Sequence, residues 1–460
     1  MPDPLHAVSP LDGRYADRLD PLREYASEAA LVAARVRVEV EYLLALADHE
    51  AVALSLSPAE RDDLRAVVAE FDDEDARLVK RIETEGYDDY AATNHDVKAV
   101  EYFLRERTTV PEEWIHFGLT SEDVNNLAYR LLVRGAVREV LVPELRAVRD
   151  ELADLAREHR GTPMLARTHG QPATPTTFGK ETAVYAARLG RAVGRTEAAV
   201  DDLTGKVGGA TGTLAAHHAA YPETDWRAFA REFVAGFDLR YAGLTTQVNP
   251  CDDLAALFDA VDGANAVLTD LDRDAWLYVS EGYLRQRASE GETGSSTMPH
   301  KVNPIDFENG EGNLAVAAAR LDVLADRLPT SRLQRDLSDS TVKRTIGVAL
   351  GHAYLGYRKT RAGLEGVAPD AEAMREDLRA HPEVLTEAVQ TVLRREGHAD
   401  AYERVKTLTR GRTVDLAGLR AAIRDLAVDE AVREELLALA PESYTGLADE
   451  TVDDLDDTTD

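Results

Sequence analysis

Across residues 121–158 apolar side chains recur at helical spacing. Leu141, Leu145, Val148, Leu152 and Leu155 follow one another at steps of four, three, four and three. Such steps place the side chains on one face over several turns, a coiled-coil-like stripe that other helices must cover. Thr120-Ser121-Glu122-Asp123 opens the stretch with a cap residue and first-turn acids. Comparable periodic stretches cover 27–49, 59–84, 176–204, 252–288, 305–326 and 339–365. Alternating strand-like runs are scarce, and aromatics make up only 6% of the chain. The pattern predicts an all-α protein with very long helices packed as a bundle.

With 460 residues the chain is long enough for several domains. Three regions are expected: 1–110 with shorter helices, 111–365 with the long ones, and 366–460 with short helices again. The acidic run 449–460 reads as a solvated, frayed tail. No repeat of fixed period and no low-complexity tract interrupts this order.

The formal net charge is −31, which excludes nucleic acid or an anionic membrane as the main partner, since both demand a basic surface. Only eight of the 53 cations are Lys. High acid content with scarce Lys resembles proteins of salt-loving organisms, whose hydrated acidic surface keeps them dissolved in brine; an acidic face for a partner is the other reading. Cys251 is the only cysteine, so intrachain disulfides and thiolate zinc sites are excluded. Met1-Pro2-Asp3-Pro4 lacks a basic and apolar leader, and no run of 18 apolar residues occurs. A soluble, cytoplasmic protein is expected.

The polar chemistry concentrates in four loops: Thr93-Asn94-His95-Asp96, Arg167-Thr168-His169-Gly170-Gln171-Pro172, the run from Gly294 to Pro304, and Ser331-Arg332-Leu333-Gln334-Arg335-Asp336. In the third, glycine lets the loop open and close, while backbone amides and Lys301 can hold a carboxylate. Each has a plainer reading. Asn94-His95-Asp96 could be a helix cap. His6, His49, His116, His352 and His398 read as solvent-exposed or capping residues, and His217-His218 form no metal motif. Residues 205–212, rich in Gly, match neither GxGxxG nor GxxxxGK[ST] and follow no strand, which argues against a phosphate loop.

The order Gly294-Ser295-Ser296-Thr297-Met298-Pro299-His300-Lys301-Val302-Asn303-Pro304 resembles the signature loop of the fumarase/aspartase superfamily. Several further segments resemble its adenylosuccinate lyase family. They are Ser9 to Tyr15, Thr93 to Asp96, Leu119 to Asp123, His169 to Thr174 and Thr245-Thr246-Gln247. Asp306 to Asn309 and Arg335 to Ser340 resemble its bacterial-type branch. One departure is Val302, where some members carry Arg; Val also occurs in the fumarase-type loop, so that position does not decide the substrate.

The resemblance implies a three-domain fold around a central long-helix bundle, and a β-elimination that releases fumarate. A hydrogen beside a carboxylate is a very weak acid, so such a site needs a base at carbon, an acid at nitrogen and cations at the carboxylates. By resemblance Ser295 is the base, His169 the acid, and Lys301 and Asn303 hold carboxylates. A free hydroxyl is scarcely ionised near neutrality, so a closing loop would have to stabilise the alkoxide. A histidine, by contrast, titrates near ~6.5 without tuning. Glu308 resembles the carboxylate that orients the histidine; it also suits a helix N-terminus.

Arg14, Tyr15, Ser340 and Arg344, with Arg335 nearby, match the family's phosphate and ribose contacts. Asn94, His95, Asp96, Thr120, Ser121, Gln247, Ser296 and Asn309 would hold the rest of the substrate. His95 positions substrate in this reading, with a share in proton transfer as the alternative. No cofactor or metal is implied. The family's tetramers build each site from three subunits, and the long apolar stripes are compatible with that. Other fumarate-releasing lyases remain the alternative within the superfamily, and a non-catalytic bundle the alternative outside it. The implied substrate carries about −4 near neutral pH, so an acidic chain would need a local cationic pocket to bind it.

Overall fold

The computed structural model describes residues 4–287, 298, 301–409 and 415–455. Long helices occupy Glu28–Asp48, Phe178–Asp201, Asp252–Ser280, Ile305–Arg327 and Ile346–Glu365, close to the periodic stretches of the sequence. Three stretches are shorter than their apolar spacing suggests. The 59–84 region is two helices, Pro58–Ala69 and Asp73–Thr84, because the Asp72 carboxylate accepts from the amides of Glu74 and Asp75 and starts a new helix. The 252–288 helix stops at Ser280, and residues Leu284–Gln286 pair as a strand with Val367–Pro369. The 339–365 region breaks after Ser338–Lys343 and resumes at Ile346.

The 121–158 stripe is helical throughout, with a π-helical segment at Ala136–Leu141 between Ser121–Gly135 and Val142–Glu158. Pro143 follows within two residues. Its ring offers no N–H and crowds the preceding turn, and a widened turn relieves both.

The described residues are mostly α-helical, as expected, with three two-stranded ribbons among them. The largest pairs Pro163–Thr168 with Gln171–Thr177, antiparallel. His169 and Gly170 form its two-residue tip, with φ +53° and +72°. Positive φ at both positions is what a tight hairpin turn of matching twist requires, and Gly170 supplies the second without a Cβ penalty.

The chain divides into two compact units. One comprises Met1–Glu144, Ala192–Ala266 and Gly312–Gly356; the other comprises Leu145–Arg191, Val267–Glu311 and Tyr357–Asp460. The first buries Val36, Leu43, Leu46, Phe103, Val124 and Leu127. Tyr42, Phe229 and Phe233 add edge-to-face aromatic contacts to its interior. The second has a core of Leu378, Leu385, Val389, Leu393, Leu419 and Ile423, against which the hairpin contributes Leu165.

Two histidines expected from the sequence to be exposed or capping, and a third that it left unassigned, have internal partners. His116 Nδ1 is 2.5 Å from Glu39 Oε1, and His352 Nδ1 is 2.9 Å from Asn313 Oδ1. His217 is fully buried, with Nε2 2.7 Å from the Tyr42 hydroxyl. An internal partner offsets the cost of removing each ring from water. The start of the acidic tail is also held: Arg160 donates to the Asp449 carbonyl and pairs with Asp453 at 3.1 Å, and Val452 and Leu455 are buried. Two apolar anchors within an otherwise acidic run keep it docked through Leu455.

Candidate active site

A cavity of about 520 Å³ lies within the first unit. It brings together His95, Asp96, Thr120 and Ser121 on one side with Arg335, Ser340 and Arg344, and also takes in Gln247. These are positions that the sequence singled out from four separate segments. Arg14, Tyr15 and Asn94 belong to the same unit but do not line the cavity.

His95 is the cap of the helix Asp96–Arg107: its Nδ1 accepts from the Lys98 amide at 3.1 Å. Accepting there leaves the proton of the neutral ring on Nε2, which lies 3.3 Å from Ser121 Oγ. The cap reading and the site reading therefore hold together. Asp96, the next residue, pairs with Arg35 at 2.7 Å. Burial pushes the Asp96 carboxyl up, but Arg35, the Val97 amide and His95 together outweigh it and hold the group below the ordinary carboxylate value.

Thr120 and Ser121 are fixed by Asp123. Its carboxylate accepts from the half-buried Thr120 amide at 2.8 Å and, away from solvent, from Lys206 Nζ at 2.7 Å and the Gly208 amide at 2.8 Å. The Gly-rich stretch 205–212 thus spends its donors on a protein carboxylate, not on a phosphate. Its far end sets Gln247, whose Nε2 donates to the Ala210 carbonyl at 3.3 Å. Gly212 lies so close to Thr245 that a Cβ would sit 2.2 Å from that carbonyl oxygen, and its φ is +76°.

On the opposite wall, Asp336 shapes the 331–338 loop. It accepts from the Ser338 hydroxyl and amide and from the Arg332 amide, which lower its pKa in that order. Arg335 and Lys343 then face Glu122 and Asp339. Arg335 lies 3.3 Å from each carboxylate, and Lys343 lies 2.9 Å from Glu122 and 2.7 Å from Asp339.

The remaining predicted residues belong to the second unit. His169 stands exposed at the hairpin tip. Lys301 and Asn303 lie just before the helix Ile305–Arg327, with Lys301 exposed. Glu308 and Asn309 occupy that helix's first turns, where an acid complements the helix dipole. Glu308 accepts from Trp276 Nε1 at 3.1 Å and makes no hydrogen bond to His169 within the chain. Ser295 and Ser296 lie outside the described residues. Among the described residues, no cluster of His, Cys, Asp and Glu is placed to hold a metal ion, and no helix is long and apolar enough to cross a membrane.

Residues 13–318 match the Lyase family, and residues 331–445 match the Adenylosuccinate lyase C-terminal family. The adenylosuccinate lyase of Escherichia coli strain K12 is 46% identical over 98% of this chain and 99% of its own. That of Haemophilus influenzae is 44% identical, again over 98% and 99%. The Dictyostelium discoideum adenylosuccinate lyase is 43% identical over 96% and 97%. The chain belongs to the adenylosuccinate lyase family. Its fold is also that of solved structures of lower identity. A fumarate lyase from Mesorhizobium sp. BNC1 superposes with a TM-score of 0.76 at 22% identity, covering 95% of this chain and 97% of that one. The 3-carboxy-cis,cis-muconate lactonizing enzyme of Pseudomonas putida gives 0.75 at 24%, covering 95% and 96%.

Arg35, Glu122, Asp339 and Lys343 also line the cavity and were not named as site residues from the sequence, though Glu122 and Asp339 lie in segments that resemble the family. Glu122 carried one usable signal, its place in the Thr120 to Asp123 helix start. Lys343 and Arg35 carried none, since each meets its partner only through the fold.

Proposed function

We propose that the chain eliminates fumarate from succinyl-AMP, giving AMP, and from the succinylated aminoimidazole carboxamide ribotide of purine synthesis. The observation that carries this reading is the first-unit cavity. It gathers side chains suited to a nucleotide monophosphate in a chain of this family, and a fumarase or aspartase substrate has no phosphate to use them.

Ser295 takes a proton from the succinyl carbon, and the electron pair becomes the C=C bond of fumarate as the C–N bond breaks. The departing nitrogen receives a proton from His169. Lys301 and Asn303 hold the carboxylates on which charge builds, where placed donors lower the barrier most. Ser340 and Arg344 take the phosphate, with Arg14, Tyr15 and Arg335 beside them. His95, through its Nε2 proton, and Ser121, Gln247 and Asn309 orient the remainder, Ser296 among them in the signature loop. Glu308 orients His169 across an assembled homotetramer whose sites draw on three subunits. The enzyme works in the cytoplasm, and its acidic surface suits concentrated salt.

Loss of either substrate is followed by ultraviolet absorbance across a salt series. An intact protein that turns over neither nucleotide at any salt concentration would sink the reading. Ser295→Ala should leave a folded protein that still binds substrate but has lost turnover.

A further inference from the structure

Lys343 is the least expected charge in the cavity. It is 3% exposed and ends a helix of only six residues, Ser338–Lys343, too short to hold itself in place. Ser340 lies within that helix, and Arg344 is its C-terminal cap. Lys343 Nζ reaches Glu122 Oε1 at 2.9 Å, across 221 residues of sequence, and lies 5.7 Å from the centre of the Tyr129 ring. Glu122 and Tyr129 both belong to the helix Ser121–Gly135. The ammonium therefore joins the segment bearing Ser340 and Arg344 to the helix that begins at Ser121. Burial pulls the Lys343 pKa down, but its neighbours, Glu122 foremost and Asp339 among them, together raise it above the usual lysine value.

The charges decide what this join does. Glu122 and Asp339 carry two negative charges, Arg335 and Lys343 two positive ones, and all four lie within 3.3 Å of an opposite partner. Arg35 is matched by Asp96. Among the described residues lining the cavity, Arg344 is the cation without a carboxylate partner. Remove the ammonium and one carboxylate charge is left over in the cavity that Arg344 also lines. In a partly buried wall, that charge is poorly screened and opposes an incoming phosphate.

We propose that Lys343 is a positioning residue for the phosphate end of the substrate: through Glu122 and Asp339 it fixes Ser340 and Arg344 opposite Ser121 and cancels the acids that would repel the phosphate. This rests on the nucleotide reading above, and it adds a residue that need not touch the substrate.

The test compares Lys343→Met, Glu122→Gln, the double variant and Lys343→Arg in the full-length protein. Binding of AMP and of adenosine, which has no phosphate, is measured by calorimetry beside steady-state kinetics. Lys343→Met should weaken AMP and raise KM by about tenfold or more, as for loss of one partner of a buried charge pair. Adenosine affinity should stay within about twofold, well inside that effect, and kcat should fall far less than KM rises. Adding Glu122→Gln should recover the part of AMP binding that the left-over charge removed, a coupling that independent sites do not show. Lys343→Arg should bind AMP nearly as the parent does.

Equal losses of AMP and adenosine, or an unchanged AMP affinity in folded Lys343→Met, would overturn the proposal. Should Lys343→Met not fold, the same comparison is made between Lys343→Arg and Glu122→Gln. There, tighter AMP binding by Glu122→Gln is expected, and weaker binding would overturn the proposal. Absence of turnover in the parent would sink the lyase reading alone, because AMP binding is read separately.

Discussion

Around Glu122 four charged side chains close on one another within 2.7 to 3.3 Å, and two of them, Glu122 and Lys343, are almost wholly buried. In the second unit, His169 stands exposed on a hairpin tip and makes no side-chain hydrogen bond among the described residues, while Lys301 lies exposed before its helix. The first arrangement is already assembled in the free chain: its donors are placed and its charges matched. The second presents the proposed acid and carboxylate-holding cation on short exposed segments, where removing them disturbs no interior packing. With the proposed roles, binding and chemistry would thereby differ in their dependence on the fold. Damage to the cavity wall should show as lost affinity or stability, and damage to the exposed segments as lost turnover.

The sharpest challenge to that contrast is His169→Gln. A lost general acid should lower kcat by about 10²- to 10⁴-fold, with KM and melting temperature little changed, since the residue is exposed. A melting temperature that falls along with kcat would erase the distinction between the two regions.

His217 probes the interior of the first unit. Burial depresses its pKa from 6.5 to about 4, against a smaller upward pull from Asp123, and its ring nitrogen meets Tyr42. Between those values the unfolded chain binds the proton that the folded chain refuses. This contribution is therefore complete above about pH 6.5 and is lost as pH falls toward 4, amounting to up to about 3 kcal/mol. His116 works in the opposite sense: burial lowers its pKa but Glu39 outweighs this and raises it, so its share is lost at higher pH. Denaturant melts of His217→Asn and the parent from pH 7 to 4 should show a shallower decline in the variant. Parallel curves would mean that the buried ring carries none of the acid sensitivity.

Arg344→Gln should raise KM for both nucleotides by roughly tenfold to a hundredfold, the loss of a charge-assisted contact of about 1.5–3 kcal/mol, with folding untouched. Unchanged KM would take the phosphate away from this wall and favour a fumarase- or aspartase-type substrate. The smallest effect is expected at the hairpin. Gly170→Ala forces a Cβ into φ +72° and should cost about 1 kcal/mol in stability. Its kcat should drop more than its melting temperature suggests, because the tip carries His169.

The helices were legible because each buries one stripe, and a stripe repeats every three or four residues whatever it packs against. Their ends were less so. Asp72 splits an apolar pattern that otherwise runs on through 59–84, and a single carboxylate capping two amides outweighs the periodicity. The hairpin left a trace that the helical reading passed over: His169-Gly170 between Thr168 and Gln171 is a short positive-φ pair of the kind that joins antiparallel strands. Within the site, a loop of unusual polar content pointed to His95, and the family resemblance pointed to Ser121, Gln247 and Arg344. Lys343 and Arg35 sit in apolar-periodic helices among ordinary surface-type charges. Only the long-range meeting with Glu122, and with Asp96, reveals that they face a cavity.

Cys251, the lone thiol, is 2% exposed, and its Sγ donates to the Asn249 carbonyl at 3.1 Å. A buried sulfhydryl with an internal acceptor reacts slowly with maleimide reagents. A cysteine introduced at an exposed position, such as the hairpin tip, would then take a fluorophore at a single site without first stripping the native one. The chain is already a suitable background for watching, by spectroscopy, how its exposed segments move when a ligand arrives.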